Sequence, residues 1–519
     1  MSRSREFEAV RLVGDMDMET GGAMVSEKAR QKSGLQYGVS RREFLSTATT
    51  MMAAGLLERC ARPQPVLGAA EIRLRIAPVE VEIARGCWIK TMAYNDSVPG
   101  PVLRVSENKP IRVEIHNGSG VEEYVHWHGL SLEARLDGTE EENSLPVPAH
   151  SRLEYILPPQ VAGSYYVHTH AMVHRNLNSG VYSGQFAFVY VEPRESAGNY
   201  DREIFLASHE WEPYFVDMAQ EERTAEQMLH QRMDADDEGA EMGEGGWDVQ
   251  YRRASLNGKA LGHGEPIRVK QGERVLFHFL NASATEEIQL ALPGHRFWVQ
   301  ALDGHVVPRP AAVPVLVMGV GERVDAIVEM TSPGLWVLGS TDEEMRGKGL
   351  GVVVEYAGRQ GEPLWSEPED TAWDYGFFGC SQMEAAEQGL RLRLARLPLG
   401  DDGFERWIIK RSIQRTIETE GQQKDSDSSA ALKRGDCYRL SIRNDSGERH
   451  PMHLHRYRFE LTCFPGGPSN GIVKDTVVVA PYKTADVIVT PRQAGPALFH
   501  CHNQMHMDAG LKTLLQVVE

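Results

Sequence analysis

The sequence predicts an all-β chain of three tandem β-sandwich units, and three observations carry that expectation. At 519 residues the chain is longer than one hydrophobic core usually supports. From Glu71 onward it reads as short runs alternating between apolar and polar, broken by turn signals such as Asn95-Asp96-Ser97-Val98-Pro99-Gly100-Pro101 and Asn117-Gly118. The pattern also repeats. Pro110-Ile111-Arg112-Val113-Glu114 is echoed by Pro266-Ile267-Arg268-Val269-Lys270, and again, as a turn feeding an alternating strand, by Arg434-Gly435-Asp436-Cys437-Tyr438-Arg439-Leu440-Ser441-Ile442.

Residues 1–70 read as an address rather than as fold. Ser40-Arg41-Arg42-Glu43-Phe44-Leu45 precedes a mildly apolar run to Leu57 and a small-residue stretch ending at Gly68-Ala69-Ala70, a pattern that resembles a twin-arginine signal peptide. The expectation is export by the twin-arginine machinery, cleavage after Ala70, and a periplasmic or extracellular mature protein. Met16, Met18 and Met24 offer internal starts, and Arg59 stands where lipid attachment at Cys60 would need a small residue. The first unit is then 71–195, the second 196–365 and the third 366–519, with a polar linker near 361–388. Asp217 to Asp236 breaks the β pattern with helix-favouring composition, and Met218, Met228, Leu229 and Met233 recur at roughly helical spacing. It is expected to be a short helical insertion in the second unit. Its methionines suit either a packing face or soft metal contacts.

With 73 acidic and 55 basic side chains the formal net charge is -18, which disfavours nucleic acid and anionic membranes as partners and attracts cations. No later stretch is apolar enough to span a bilayer, so no stable membrane insertion is expected. Six cysteines are too few for a disulfide framework. Cys60 would leave with the signal; Cys87, Cys380, Cys437 and Cys463 allow three pairings or free thiols.

The chemistry lies in the histidines. Ten of nineteen fall into four short clusters: His126-Trp127-His128, His168-Thr169-His170, His450-Pro451-Met452-His453-Leu454-His455, and His500-Cys501-His502 with His506. On a strand, residues i and i+2 share a face, so each His-x-His is a two-pronged claw. Imidazole alone does not name the metal, whereas a thiolate with two imidazoles is the donor set of a blue copper site. Cys501 faces away from His500 and His502, so one short segment touches two metal centres.

These four clusters resemble the copper-binding motifs of multicopper oxidases, the family of laccases, bilirubin oxidases and cuprous oxidases. The resemblance covers the chain after residue 70 and implies three cupredoxin-like Greek-key sandwiches holding four copper ions. It assigns His450, Cys501 and His506 to a type 1 copper, and His126 and His453 to a type 2 copper. His128, His168, His170, His455, His500 and His502 go to a type 3 pair. The trinuclear site would lie between the first and third units, with the second as a spacer without ligands. Leu511 stands where many members have an axial methionine. Asp137 matches a family aspartate near the type 2 copper; Gln504 and Met507 occupy positions where relatives carry a second acid, leaving Asp508 as the nearest carboxylate. The implied activity is one-electron oxidation of a small reducing substrate near His506, passage of electrons through Cys501 to His500 and His502, and reduction of dioxygen to water. Phenols and aromatic amines are the first expectation for the substrate, cuprous or other metal ions the second. A copper nitrite reductase would lack the eight-histidine set, and a structural or assembly role fits poorly with an intact set of eleven ligands.

Overall fold

The computed structural model describes residues 11–13, 71–195, 198–218, 246–369, 373–380, 388–415, 431–463 and 469–519. The export signal, Cys60, Cys463's side chain and the helical insertion beyond Met218 lie outside the described residues. Strands dominate; helices among the described residues are short, as in Ala134–Asp137, Glu343–Lys348 and Gln504–Asp508. None is long and apolar enough to cross a membrane.

From Ile72 onward the strands form three pairs of sheets, each pair drawn from one stretch of chain. In the first, Ser151–Leu157, Ile111–Asn117, Ile72–Ala84 and Cys87–Tyr94 are neighbours in one sheet, facing Gly100–Ser106, Phe186–Glu192, Gly163–Thr169 and Val125–His128 in the other. The same design recurs twice. Ile72–Ala84 pairs in parallel with Ile111–Asn117, as Arg202–Asp217 does with Arg274–Asn281 and Gln388–Leu397 with Tyr438–Asn444. A parallel neighbour requires a crossover rather than a hairpin, and the same crossover is repeated in each unit.

This topology corrects the sequence echo by one strand. Pro266-Ile267-Arg268-Val269 forms the short strand Ile267–Val269, which pairs in parallel with Gly351–Tyr356. Its counterpart in the first unit is Gly100–Ser106, paired in parallel with Phe186–Glu192, and not Ile111–Asn117. A proline, aliphatic residues, arginine and valine occur twice in succession there, so the echo matched the wrong copy.

A clearer repeat lies at the end of the parallel strand. Asn117, Asn281 and Asn444 are buried. Each donates Nδ2 to a carbonyl just downstream (Val121 2.8 Å, Glu286 2.8 Å, Glu448 2.7 Å) and to a second one on another segment (Val147 2.9 Å, Met318 3.0 Å, Val479 3.1 Å). Their Oδ1 atoms accept from the N–H of Ser119, Ser283 and Ser446, two residues on. One Asn-x-Ser latch thus closes each sandwich by satisfying backbone groups that its interior would otherwise orphan.

Ordinary strands bury one face, as in Tyr438–Asn444, where Tyr438, Leu440, Ile442 and Asn444 alternate with half-exposed neighbours. Val125–His128 and His450–Leu454 are buried at every residue. Those strands carry two of the four histidine clusters. Cys87, Cys380 and Cys437 are free thiols.

Asn281→Ala removes two donors to buried carbonyls and is expected to destabilise the middle unit by about 2–3 kcal/mol. Thermal and urea unfolding of the variant measure this; an unchanged midpoint would contradict the latch.

Candidate functional site

Two sets of donors converge, and the strand periodicity separates them. His453 pairs across the sheet with His500, while Met452 pairs with Cys501. Side chains at successive positions point to opposite faces, so Cys501 shares a side with His450 and not with His453, His455 or His500. On one side Cys501 Sγ lies 3.8 Å from His450 Nδ1 and 3.5 Å from His506 Nδ1, and the two nitrogens are 3.1 Å apart. His506 reaches this point because the helix Gln504–Asp508 begins at Asn503, whose Oδ1 accepts from the N–H of Met505 and His506.

On the other side lie eight imidazoles. The strand pair brings His126 opposite His168 in the first unit. Rings from the first and third units interleave: His126 stacks on His455 at 4.0 Å between centroids and His128 on His453 at 3.7 Å. Donor atoms of His126, His453 and His455 lie within 4.8 Å of one another, as do those of His126, His128 and His168 and those of His170, His455 and His500. His502 approaches His128 and His168 with centroids 5.0 and 5.2 Å away. All eleven residues singled out from the sequence therefore fall into these two sets.

The outer nitrogens are anchored. Nδ1 of His126 bonds the Asp137 carbonyl (2.8 Å), His168 that of Thr169 (2.8 Å), His453 that of Asp475 (2.8 Å) and His500 that of Cys501 (2.8 Å). His455 Nδ1 donates to Asp137 Oδ2 at 2.7 Å. Such partners fix the tautomer and leave the inner nitrogen as a bare lone pair. Consistent with that, Nε2 of His126, His168 and His453 and Nδ1 of His128 are buried and make no hydrogen bond. His455 Nε2 and His500 Nε2 face each other at 3.0 Å with both outer nitrogens committed. Two lone pairs so placed repel unless a cation lies between them.

The same logic holds beside Cys501. Ser446 Oγ gives its proton to Asn444 and accepts from His450 Nε2 at 2.8 Å, so His450 Nδ1 is bare. His506 Nε2 bonds Glu448 at 2.9 Å. Both donor sets thus fit metal ions, and the thiolate with two imidazoles selects copper. Burial, reinforced by neighbouring imidazoles, holds His128, His170, His453, His455 and His502 well below the usual imidazole value, and His500 at about 4. Neutral rings are what metal ligation requires.

Asp137 is fully buried with Oδ2 also 3.3 Å from His126 Nδ1, so it touches one ring from the first unit and one from the third. Gly138 follows it at φ 88°, and a Cβ there would sit 1.9 Å from the Val125 carbonyl oxygen. Only glycine lets the chain turn away so close to the His126 strand. Asp508 accepts from Gln504 Nε2 at 3.0 Å and lines an outer cleft with His174 and Met505. Leu511 is fully buried, and its carbonyl accepts from the Cys501 N–H at 2.9 Å.

Several site residues have no signal in spacing. Glu142 belongs to an acidic run that reads as a solvated loop, yet it is buried, accepts from Leu498 N–H at 2.6 Å and lies 3.9 Å from His455 Nδ1. Burial and Asp137 raise its pKa well above the carboxylate range. Asp475 accepts from His128 Nε2 at 2.9 Å. Trp407 packs its ring on both His450 and His506, with centroids 4.8 and 5.1 Å away.

Because these imidazoles are neutral in the folded copper-free chain and free to protonate near 6.5 when unfolded, the unfolded chain binds more protons below that value. The melting temperature of the copper-free protein should therefore fall as pH drops from 7 toward 4, and copper should oppose the fall near pH 7. Calorimetry across that range tests it; a flat profile would show the rings are not held neutral.

Three family models, each described as multicopper oxidase, match residues 76–196, 229–350 and 401–519. The multicopper oxidase MmcO of Mycobacterium tuberculosis is 24% identical over 503 residues, covering 94% of this chain and 95% of that one. A copper resistance protein A homolog of Pseudomonas syringae pv. tomato is 23% identical, covering 87% and 93%. The crystal structure of a multi-copper oxidase from Pseudomonas thermotolerans superposes with a TM-score of 0.62 at 22% identity, covering 86% of this chain and 98% of that one. With its three sandwiches and two converging donor sets, the chain belongs to the multicopper oxidase family.

Proposed function

We propose that the chain oxidises a small reducing substrate, of the phenol or aromatic amine class, one electron at a time beside His506, and reduces dioxygen to water at the eight-imidazole cluster. The observation that carries this is the segment His500-Cys501-His502, which enters both donor sets with no gap in the chain. In this reading His450, Cys501 and His506 hold the type 1 copper, His126 and His453 the type 2 copper, and the remaining six imidazoles the type 3 pair. Four bound copper ions supply the redox couple and the centre at which dioxygen is reduced.

The protein's own groups account for the rest. Glu448 orients His506 from its outer nitrogen, and Trp407 shields both type 1 rings from water. A cleft of about 280 Å³ opens beside this edge, with Phe215, Phe404 and Met505 offering apolar contact and Glu405 and Asp508 offering acceptors for a phenolic or ammonium proton. At the cluster, Asp137 holds a carboxylate oxygen on the Nδ1 proton of His455 and serves as the proton-handling group. A second reading, oxidation of cuprous or other metal ions, is favoured by the Asp402, Glu405, Asp508, His174 and Met505 side chains in the same cleft. The copper resistance name of one relative supports it too.

Copper-loaded protein should be intensely blue and contain roughly four copper ions per chain, as the two donor sets imply. Colourless protein after reconstitution would remove the assignment. Turnover of a dimethoxyphenol with and without added copper(II) separates the substrates, and strict dependence on added copper would sink the phenol reading. Leu511 has no lone pair to give, so Leu511→Met is expected to lower the type 1 reduction potential. Redox titration of the blue band measures it; an unchanged or higher potential would show that residue 511 does not tune the type 1 site.

A further inference from the structure

Arg323 is among the largest fully buried side chains of the protein, and it belongs to the middle unit, at the start of the strand Arg323–Glu329. A guanidinium is kept wholly out of water only where its charge and its donors are met. Here Nη1 donates to Asp475 Oδ1 at 2.8 Å and Nη2 to Asp475 Oδ2 at 2.5 Å, a bidentate pair across two units. Further donors go to the carbonyls of Gly321 (3.0 Å), Asp303 (3.2 Å) and Ser164 (3.4 Å). Asp303, also of the middle unit, accepts from the N–H groups of Asp475 and Thr476 at 3.3 and 3.2 Å. It also pairs with Lys474 at 2.9 Å. Asp475 is thus held by side chain and backbone together.

The held group touches the cluster twice. Its carbonyl anchors His453, and its Oδ1 accepts from His128 Nε2. His128 is reversed relative to five of the rings: His126, His168, His453, His455 and His500 turn Nδ1 outward, whereas His128 turns Nε2 outward and leaves Nδ1 as its unpartnered inner atom. The chain also makes room for this clamp. A Cβ at Gly129, next to His128, would lie 2.5 Å from Asp475 Oδ2 and 2.8 Å from Arg323 Nη2. A Cβ at Gly321 would lie 2.9 Å from the His502 ring. Asp475 could be mistaken for a metal ligand because its oxygen lies near His128 and His453. Both oxygens are already engaged by Arg323, which assigns it to orientation instead.

We propose that Arg323 is a positioning residue for the trinuclear site: from the middle unit it locks Asp475, and through Asp475 it holds His128 with Nδ1 turned to the metal. This rests on the reading of the imidazole cluster as copper-binding. The test is chelator competition on the copper-loaded full chain, following total copper and the blue band separately. In Arg323→Gln, cluster copper should be withdrawn at about 10–100-fold lower chelator concentration, with the blue band as resistant as in the parent. Arg323→Lys, which keeps the charge without the fork, should fall between. Should Arg323→Gln not fold, Arg323→Gln/Asp475→Asn removes the charge of both partners and carries the same expectation. Parental retention, or equal weakening of both donor sets, overturns the proposal. Nitrogen-labelled histidine spectra of the copper-free parent give a second reading that needs no variant. His128 should be protonated on Nε2, and finding it protonated on Nδ1, as those five rings are, also overturns the clamp. A parent that binds no copper would defeat the copper assignment, while the tautomer measurement would still judge the clamp.

Discussion

Everything in this protein is arranged around inward-facing imidazole lone pairs that repel one another and have been taken out of water. No packing gain explains such a cluster, because His126, His128, His168, His170 and His453 each leave a buried nitrogen without a partner. The surrounding structure supports it by committing every outer nitrogen that is anchored to a carbonyl or carboxylate, so that rings cannot turn away. The strands that deliver the rings, Val125–His128, Gly163–Thr169, His450–Leu454 and Gly495–Cys501, are buried at nearly every residue, unlike half-exposed strands such as Tyr438–Asn444. The cluster also dictates assembly: four rings come from the first unit and four from the third, and neither half is a site alone.

Much of this was legible in the sequence, for a local reason. Side-chain alternation along a strand acts over two residues, so His-x-His and His-Cys-His announce which face each donor takes without knowledge of the fold. The all-β class followed from the same alternation. What spacing did not show depends on through-space meetings. Asp475 and Arg323 lie in different units and meet only after the chain has folded. Glu142 sits in a run of three glutamates that any local reading places in solvent; Glu141 does pair near the surface with Lys512, while its neighbour turns inward to Leu498 and His455. The repeat was visible but misaligned, because adjacent strands of the first unit share one motif. The Asn-x-Ser latch at Asn117, Asn281 and Asn444 would have aligned the three units correctly.

The middle unit acquires a chemical role from these contacts although none of the eleven donors lies in it. Asp303, Gly321 and Arg323 meet the cluster's supporting residues directly, and Glu322 reaches Lys474 at 2.9 Å. A stack of alternating charges, fully buried, therefore runs between the second and third units. Charges so buried stabilise little by themselves but are exacting about geometry. They supply a registration between units that apolar packing alone, tolerant of small slides, would leave loose.

The two donor sets, by contrast, are joined by peptide bonds. His500, Cys501 and His502 are consecutive, and the Cys501 N–H is pinned to the Leu511 carbonyl. In the function proposed above, a shift between the units would widen or narrow the way in for dioxygen and the way out for water. It cannot lengthen the path from the thiolate to the nearest imidazoles, which is set by bond lengths within one segment. In that reading access to the cluster and electron supply to it are mechanically independent.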